Sequence, residues 1–131
     1  MVTSYVPEVE VSVDTVVIVA AAVFFAGMGV YALAAPGRLV APFGITLASG
    51  SARAEVRAVY GGFGLAVAAM LVVALTAPDL TAGIVTTVAA ALAGMALGRA
   101  SSVLDTRTGF YPNWFYFLVE GIAALALFTA A

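Results

Sequence analysis

One acidic residue, Glu120, lies near the middle of a helix-length apolar run that extends from Pro112 to Ala131. A carboxylate near the centre of a membrane-spanning helix costs several kcal/mol unless it faces protein or trapped water and has a partner. A buried carboxylate accepts hydrogen bonds from a bound molecule, or acts as a general acid or base in a catalytic protein. Any site in this chain is therefore expected to be built around Glu120.

Arg99 is the candidate partner of Glu120. It lies five residues before the end of the third apolar run, whereas Glu120 lies eight residues into the fourth. At about 1.5 Å per residue along a helix, their depths are about 7–8 Å and 12 Å, a difference that a long arginine side chain covers. The pair is equally well explained as a structural ion pair that sets helix register without any ligand.

Further polar side chains from three helices are expected in the same half of the bundle. Asn113, Tyr116 and Glu120 are spaced by three and four residues, so they share one face of a helix, and Arg57 and Tyr60 share a face of the second span. The candidate ligand-binding residues are Glu120, Arg99, Arg57, Tyr60, Glu55, Tyr116, Asn113 and Ser102. Glu55 and Arg57, which lie nearest the headgroups, are also explained as ordinary snorkelling side chains.

Several glycines in the second and third apolar runs indicate close helix packing, since small residues let helix backbones approach each other in lipid. The same residues would also leave room for a flat ligand. The candidate packing residues are Gly61, Gly62, Gly64, Gly94 and Gly98.

Composition places the chain in a bilayer, because 64% of its 131 residues are hydrophobic and only 9% are charged. A soluble fold of this length has too little core to bury that much apolar surface. We expect an all-α membrane protein, an antiparallel up-down-up-down bundle of four transmembrane helices, with Asp14 or Thr15 as the first helix cap. The predicted divisions are an N-terminal arm at 1–14 and a transmembrane domain at 15–131, with spans at about 15–35, 53–77, 80–104 and 111–130.

The absence of histidine and cysteine excludes thiol chemistry, disulfides, the usual zinc sites and histidine acid-base catalysis. The net charge of −2 and the lack of a basic cluster argue against a nucleic-acid partner. No metal site and no cofactor are expected. The N-terminus lacks the positive region of a signal peptide, so the first helix is expected to be a retained span.

Basic residues are confined to one face of the predicted bundle, which carries the two longer loops. The face with both termini carries the acids Glu8, Glu10, Asp14 and Asp79. By the positive-inside rule the loops are predicted to be cytoplasmic and both termini extracytoplasmic, in the cytoplasmic membrane. The basic residues are Arg38, Arg53, Arg57, Arg99 and Arg107.

Three stretches carry a family resemblance: EVRAVYGGFGLAVA in the second span, GRASSVLD at the end of the third, and Pro112 followed by an acid in the fourth. They resemble a family of small four-helix bacterial membrane proteins labelled as a domain of unknown function, DUF4345, over most of the chain from about Val16. The family commonly has Gly after the Asp that ends span three, whereas Thr106 follows Asp105 here. The resemblance implies these characteristic positions: Glu55, Arg57, Tyr60, Gly61, Gly62, Arg99, Asp105 and Glu120.

Three functions remain open. The first is a membrane protein that binds a lipid, isoprenoid or quinone-like molecule at a polar site in the cytoplasmic leaflet, which predicts a cavity open sideways to lipid. The second is a non-catalytic accessory subunit of a larger membrane complex or a homo-oligomer, which predicts a filled interior. Ion or proton transport through Glu120 ranks last, because four helices offer little pathway. Within the first function a small enzyme stays open but is not favoured; Glu120 would then be the acid-base residue, with Tyr60 or Tyr116 as an assisting donor.

Overall fold

The computed structural model describes residues 2–4, 6–7 and 10–131. Regular structure in these residues is entirely helical, and four helices are long and apolar enough to cross a membrane. The predicted N-terminal arm lies partly outside the described residues, and Glu8 lies outside them entirely. The helices are α1 (Val13–Ala34), the short α2 (Pro36–Val40), α3 (Gly50–Thr76), α4 (Pro78–Leu104) and α5 (Phe110–Ala130).

The first helix begins two residues before its predicted start, because its cap is Ser12 rather than Asp14 or Thr15. The Ser12 hydroxyl accepts a hydrogen bond from the Thr15 backbone N–H at 3.2 Å and shares another with the Thr15 hydroxyl at 2.9 Å. A serine oxygen at this position satisfies a backbone donor that has no partner inside the helix.

Helix α3 begins three residues before its predicted start for the same reason, since Ser49 Oγ accepts from the Ala52 backbone N–H at 3.1 Å.

Between Arg57 and Gly62, helix α3 widens into a π-helical turn, in which Phe63 N–H bonds to the Ala58 carbonyl. Such turns are uncommon and recur near functional sites. This one carries several of the sequence-predicted site residues.

A very short turn connects α3 to α4. Ala77 is the single residue between them, and Pro78 occupies the first position of α4, where its missing N–H is harmless. The Thr81 hydroxyl donates to the Ala74 carbonyl at 2.6 Å, which satisfies one of the carbonyls left free at the end of α3. The two helices are therefore neighbours in the bundle.

The four long helices pack as two close pairs, α1 with α3 and α4 with α5, and the seams between the pairs are looser. A single hydrophobic core runs through the centre, and its most buried side chains include Leu71, Val85 and Leu127. The bundle is thus tight within pairs and more open between them.

Glycines allow the close contact between α1 and α3. A Cβ on Gly29 would lie 2.9 Å from the Gly61 carbonyl oxygen, and one on Gly64 would lie 3.1 Å from the Phe25 carbonyl oxygen. Gly61 itself faces the side chain of Leu33, 2.8 Å from such a Cβ. Among the predicted packing residues, Gly61 and Gly64 therefore lie in a helix contact, together with Gly29.

Gly94 and Gly98, which the sequence predicts to be packing residues, contact no other helix of this chain. A Cβ on either residue would have no neighbouring atom within 4 Å, because both lie on the exposed face of α4. Gly62 is nearly as open, with only the Arg57 carbonyl at 4.0 Å. Spacing along α4 placed two small residues on one face, but the packing of the bundle turned that face outward.

Candidate functional site

Arg99 and Glu120 form a bidentate ion pair between α4 and α5. Arg99 Nε donates to Glu120 Oε2 at 2.7 Å, and Arg99 Nη2 donates to Glu120 Oε1 at 2.9 Å. Glu120 is only 3% exposed and is the one charged residue in the buried core of the described chain. Paired hydrogen bonds of this kind are stronger and more directional than a single charged contact.

Two aromatic rings lie together on one side of the Arg99 guanidinium. Its central carbon lies 5.4 Å from the ring centroid of Phe43 and 5.4 Å from that of Tyr116, and the two rings are themselves 5.6 Å apart. Both contacts fall in the range of cation–π attraction. The rings thus cover the loop side of the ion pair.

Phe43 comes from the connection between α2 and α3. A single 3₁₀ turn, Ala41–Phe43, ends at Gly44, whose φ of 73° is a left-handed conformation that favours glycine. This sharp reversal places the Phe43 ring over α5. The connection is therefore folded against the bundle at this point.

The remaining candidates on α4 and α5, Asn113 and Ser102, form hydrogen bonds with other residues than Arg99 and Glu120. Asn113 Nδ2 donates to Thr108 Oγ1 at 3.2 Å, which ties the start of α5 to the preceding loop. Ser102 is half-buried, and its carbonyl accepts the N–H groups of Asp105 and Thr106 at 3.1 and 2.9 Å. These two residues order the loop end of the site.

The candidates on α3 are not brought to Glu120. Arg57 Nε instead donates to the Leu33 carbonyl at 3.1 Å, where it satisfies a free carbonyl at the end of α1. Tyr60 and Glu55 are exposed, and no hydrogen bond joins either to Glu120 in the described part of the chain. The predicted convergence of three helices therefore divides into a pair on α4 and α5 and a separate group on α3.

A crevice of about 270 Å³ opens in the seam between α1 and α5, and Glu120 lies in its wall. Every other lining residue is apolar. The lining consists of Val17, Ala20, Ala21, Phe24, Phe25, Leu92, Val119, Glu120, Ala123, Ala126 and Leu127.

A larger groove of about 630 Å³ lies in the opposite seam, between α3 and α4. Phe25 and Leu92 line both cavities, so these two buried side chains form the partition between them. The polar lining residues of the larger groove are Asp79 and Thr87, and the Thr87 hydroxyl already donates to the Gly83 carbonyl at 2.7 Å.

The site combines a charge-balanced polar pair with an apolar crevice. Every buried polar side-chain atom of the described residues has a hydrogen-bond partner, so the pair is stable as it stands. Within residues 2–4, 6–7 and 10–131, no cluster of three or more His, Cys, Asp or Glu residues is placed to hold a metal ion. The site therefore places the buried Glu120 beside a hydrocarbon-lined space.

Sequence reasoning missed three contributors: the Phe43 ring, the Leu33 carbonyl and Gly29. Phe43 lies in a loop, and no pattern in that loop pairs it with Arg99. Leu33 contributes a backbone atom, which side-chain patterns do not report. Gly29 had a usable signal, because Gly27 and Gly29 are the only glycines of the first span.

A family model described as Domain of unknown function (DUF4345) matches residues 13–131, nearly the whole chain. The resemblance stated from residues of spans two to four is confirmed by this match. No curated protein and no solved structure matches the chain.

Proposed function

This chain belongs to the DUF4345 family, and we propose that it is a multi-pass protein of the cytoplasmic membrane that binds a lipid, isoprenoid or quinone-like small molecule. The observation that carries the proposal is the crevice between α1 and α5, whose one polar lining residue is the buried Glu120. An intramembrane acid beside a cavity is a functional-site candidate by default. A ligand tail would lie in the crevice, with its polar end at Glu120.

Insertion as an antiparallel up-down-up-down bundle is part of this proposal. Its support is the length of the four apolar helices and the order of contacts between α1 and α3. Gly29 meets Gly61, and Leu33 meets Arg57, so residue numbers rise along one helix as they fall along the other. The arginine-bearing loops are proposed to be cytoplasmic, by the positive-inside rule.

Selectivity for such a ligand has to come from its polar end. A tail that moves from lipid into the crevice exchanges one apolar environment for another, so there is little hydrophobic driving force. Hydrogen bonds formed in a low-dielectric site are stronger than in water. Glu120 would therefore discriminate between ligands, and the crevice would select their shape.

A non-catalytic accessory subunit is the second candidate. The specific observation in its favour is the exposed face of α4, where Gly94 and Gly98 have open space beside them. Close approach of another helix is what such spacing permits in lipid. On this alternative the Arg99–Glu120 pair is a structural lock that holds α4 on α5.

Native mass spectrometry with lipid analysis tests the two candidates on protein gently extracted from its own membranes. Wild type, Glu120→Gln and Ala123→Leu would be compared, with Ala91→Leu as the matched control, since Ala91 lines the other groove. A discrete small molecule retained by wild type and Ala91→Leu, but lost from Ala123→Leu and reduced in Glu120→Gln, supports the binding function.

The opposite result would be stoichiometric protein partners on wild type, with only bulk lipid on all four forms. In that case the crevice is unoccupied by any specific ligand. The accessory-subunit function would then replace the binding function.

A further inference from the structure

We infer that the ligand's polar end is an uncharged hydroxyl, carried on a slender hydrocarbon chain, that donates a hydrogen bond to Glu120. The inference rests on the proposed binding function and names the ligand's chemistry. It follows from three properties of the site: the spare acceptor capacity of the carboxylate, the charge balance of the ion pair, and the volume and lining of the crevice.

Glu120 has acceptor capacity that the protein leaves unused. An ionised carboxylate offers about four lone-pair sites. Arg99 occupies two of them through Nε and Nη2, and no other hydrogen bond to Glu120 is present in the described residues. The group that lines the crevice can therefore accept but not donate. A ligand that ends in a carbonyl would bring one acceptor against another, whereas a hydroxyl supplies the missing donor.

Charge balance excludes ionised ligands for a separate reason. Arg99 and Glu120 together carry no net charge, and both carboxylate oxygens face one guanidinium. A carboxylate or phosphate in the crevice would face the negative charge of Glu120, with only apolar residues around it. An amine cation would add a net positive charge in the same place. Burying an uncompensated charge is far more costly than burying a neutral hydroxyl.

The crevice also limits the shape of the ligand. Its volume of about 270 Å³ is below the roughly 300–1,000 Å³ of pockets that enclose drug-sized molecules. The lining extends from Val17 to Phe25 on α1 and from Val119 to Leu127 on α5, which is about 12 Å along each helix, so the space is elongated. A linear alkyl or isoprenoid chain fits such a space better than a fused ring system.

Three probes with the same tail isolate the polar end: farnesol, farnesal and farnesoic acid. Binding of each tritiated probe would be measured by scintillation proximity on the protein in phosphatidylcholine nanodiscs. Farnesol is expected to bind at least about tenfold more tightly than farnesal, the usual consequence of leaving a polar group unpaired. Farnesoic acid is expected to be weaker still.

Two variants complete the test. Ala123→Leu narrows the crevice and is expected to weaken farnesol binding strongly, whereas Ala91→Leu, in the other groove, leaves it unchanged. Glu120→Gln removes the negative charge beside Arg99, so the preference for farnesol over farnesoic acid is expected to fall or reverse. Either change in preference would also show that the Glu120→Gln variant is folded.

The outcomes separate the inference from the function beneath it. If farnesal or farnesoic acid binds as tightly as farnesol, and Ala123→Leu weakens that binding, the crevice binds ligands but the hydroxyl inference is wrong. If no probe binds in a manner sensitive to Ala123→Leu, the hydroxyl inference is overturned. The binding function is then decided separately, by whether a small molecule co-purifies with wild type in native mass spectrometry.

Discussion

Arg99 holds both carboxylate oxygens of Glu120, Oε2 through Nε at 2.7 Å and Oε1 through Nη2 at 2.9 Å, and so joins α4 to α5. Glu120 is almost fully buried, so its charge depends on Arg99 for compensation. The Arg99 side chain is 21% exposed and depends less on Glu120. The pair is therefore both a structural element and the polar wall of the α1/α5 crevice.

Removing one partner of this pair is expected to destabilise the protein more than removing both. Arg99→Leu or Glu120→Leu alone should lower the free energy of unfolding by about 3–5 kcal/mol, since an unpaired charge remains in the bundle. The double variant should lie closer to wild type. Unfolding of all four forms in mixed micelles with increasing dodecyl sulfate provides the measurement. Losses in the double variant equal to the sum of the single losses would show that the two residues act independently.

Gly29→Ala is expected to destabilise the contact between α1 and α3. The added Cβ would meet the Gly61 carbonyl oxygen at 2.9 Å and the Leu65 backbone nitrogen at 3.0 Å, and backbone atoms cannot move aside as a side-chain end can. A loss of about 1–3 kcal/mol is expected from overpacking of this kind. Gly27→Ala on the same helix is the matched control, because a Cβ there has no neighbour within 4 Å.

Thermal unfolding in detergent measures both glycine variants. Gly27→Ala should be neutral or slightly stabilising, since alanine is a better helix former than glycine. Equal melting temperatures for the two variants would mean that α1 and α3 are not held as closely as the structure shows.

Single cysteines are expected to report the proposed orientation, because the chain has none of its own. Ser4→Cys and Ser51→Cys lie on opposite faces of the proposed bundle, and Ser51 is exposed without being a helix cap. In intact cells a membrane-impermeant maleimide should label Ser4→Cys, whereas Ser51→Cys should react only after the cells are opened. Labelling of Ser51→Cys from outside would reverse the orientation.

The sequence was a good guide wherever one helix decides the outcome. Long uncharged runs predicted four apolar helices within three residues of their observed starts, and the differences at α1 and α3 arise from the serine caps Ser12 and Ser49. The depths of Arg99 and Glu120 follow from counting residues along two helices. For the same reason a contact between these two side chains was a reasonable expectation.

Relations between helices were less predictable. Arg57 and Tyr60 share the loop end of the bundle with the pair, but α3 packs on α1, so Arg57 bonds to the Leu33 carbonyl instead. The glycine spacing at Gly94 and Gly98 looked like a packing face and is open. Sequence spacing defines which residues share a helix face, but not which neighbour that face meets.

The helical class, the four apolar helices, the isolation of Glu120 and its nearest basic partner could all be predicted from the sequence, because each depends on local composition and helical rise. The cover of Arg99 by Phe43, the contact of α1 with α3 at Gly29 and the crevice beside Glu120 became visible only in the folded chain. Those features depend on how every helix is rotated about its axis. That rotation is a compromise among all the side chains of the bundle, and no single stretch of the chain encodes it.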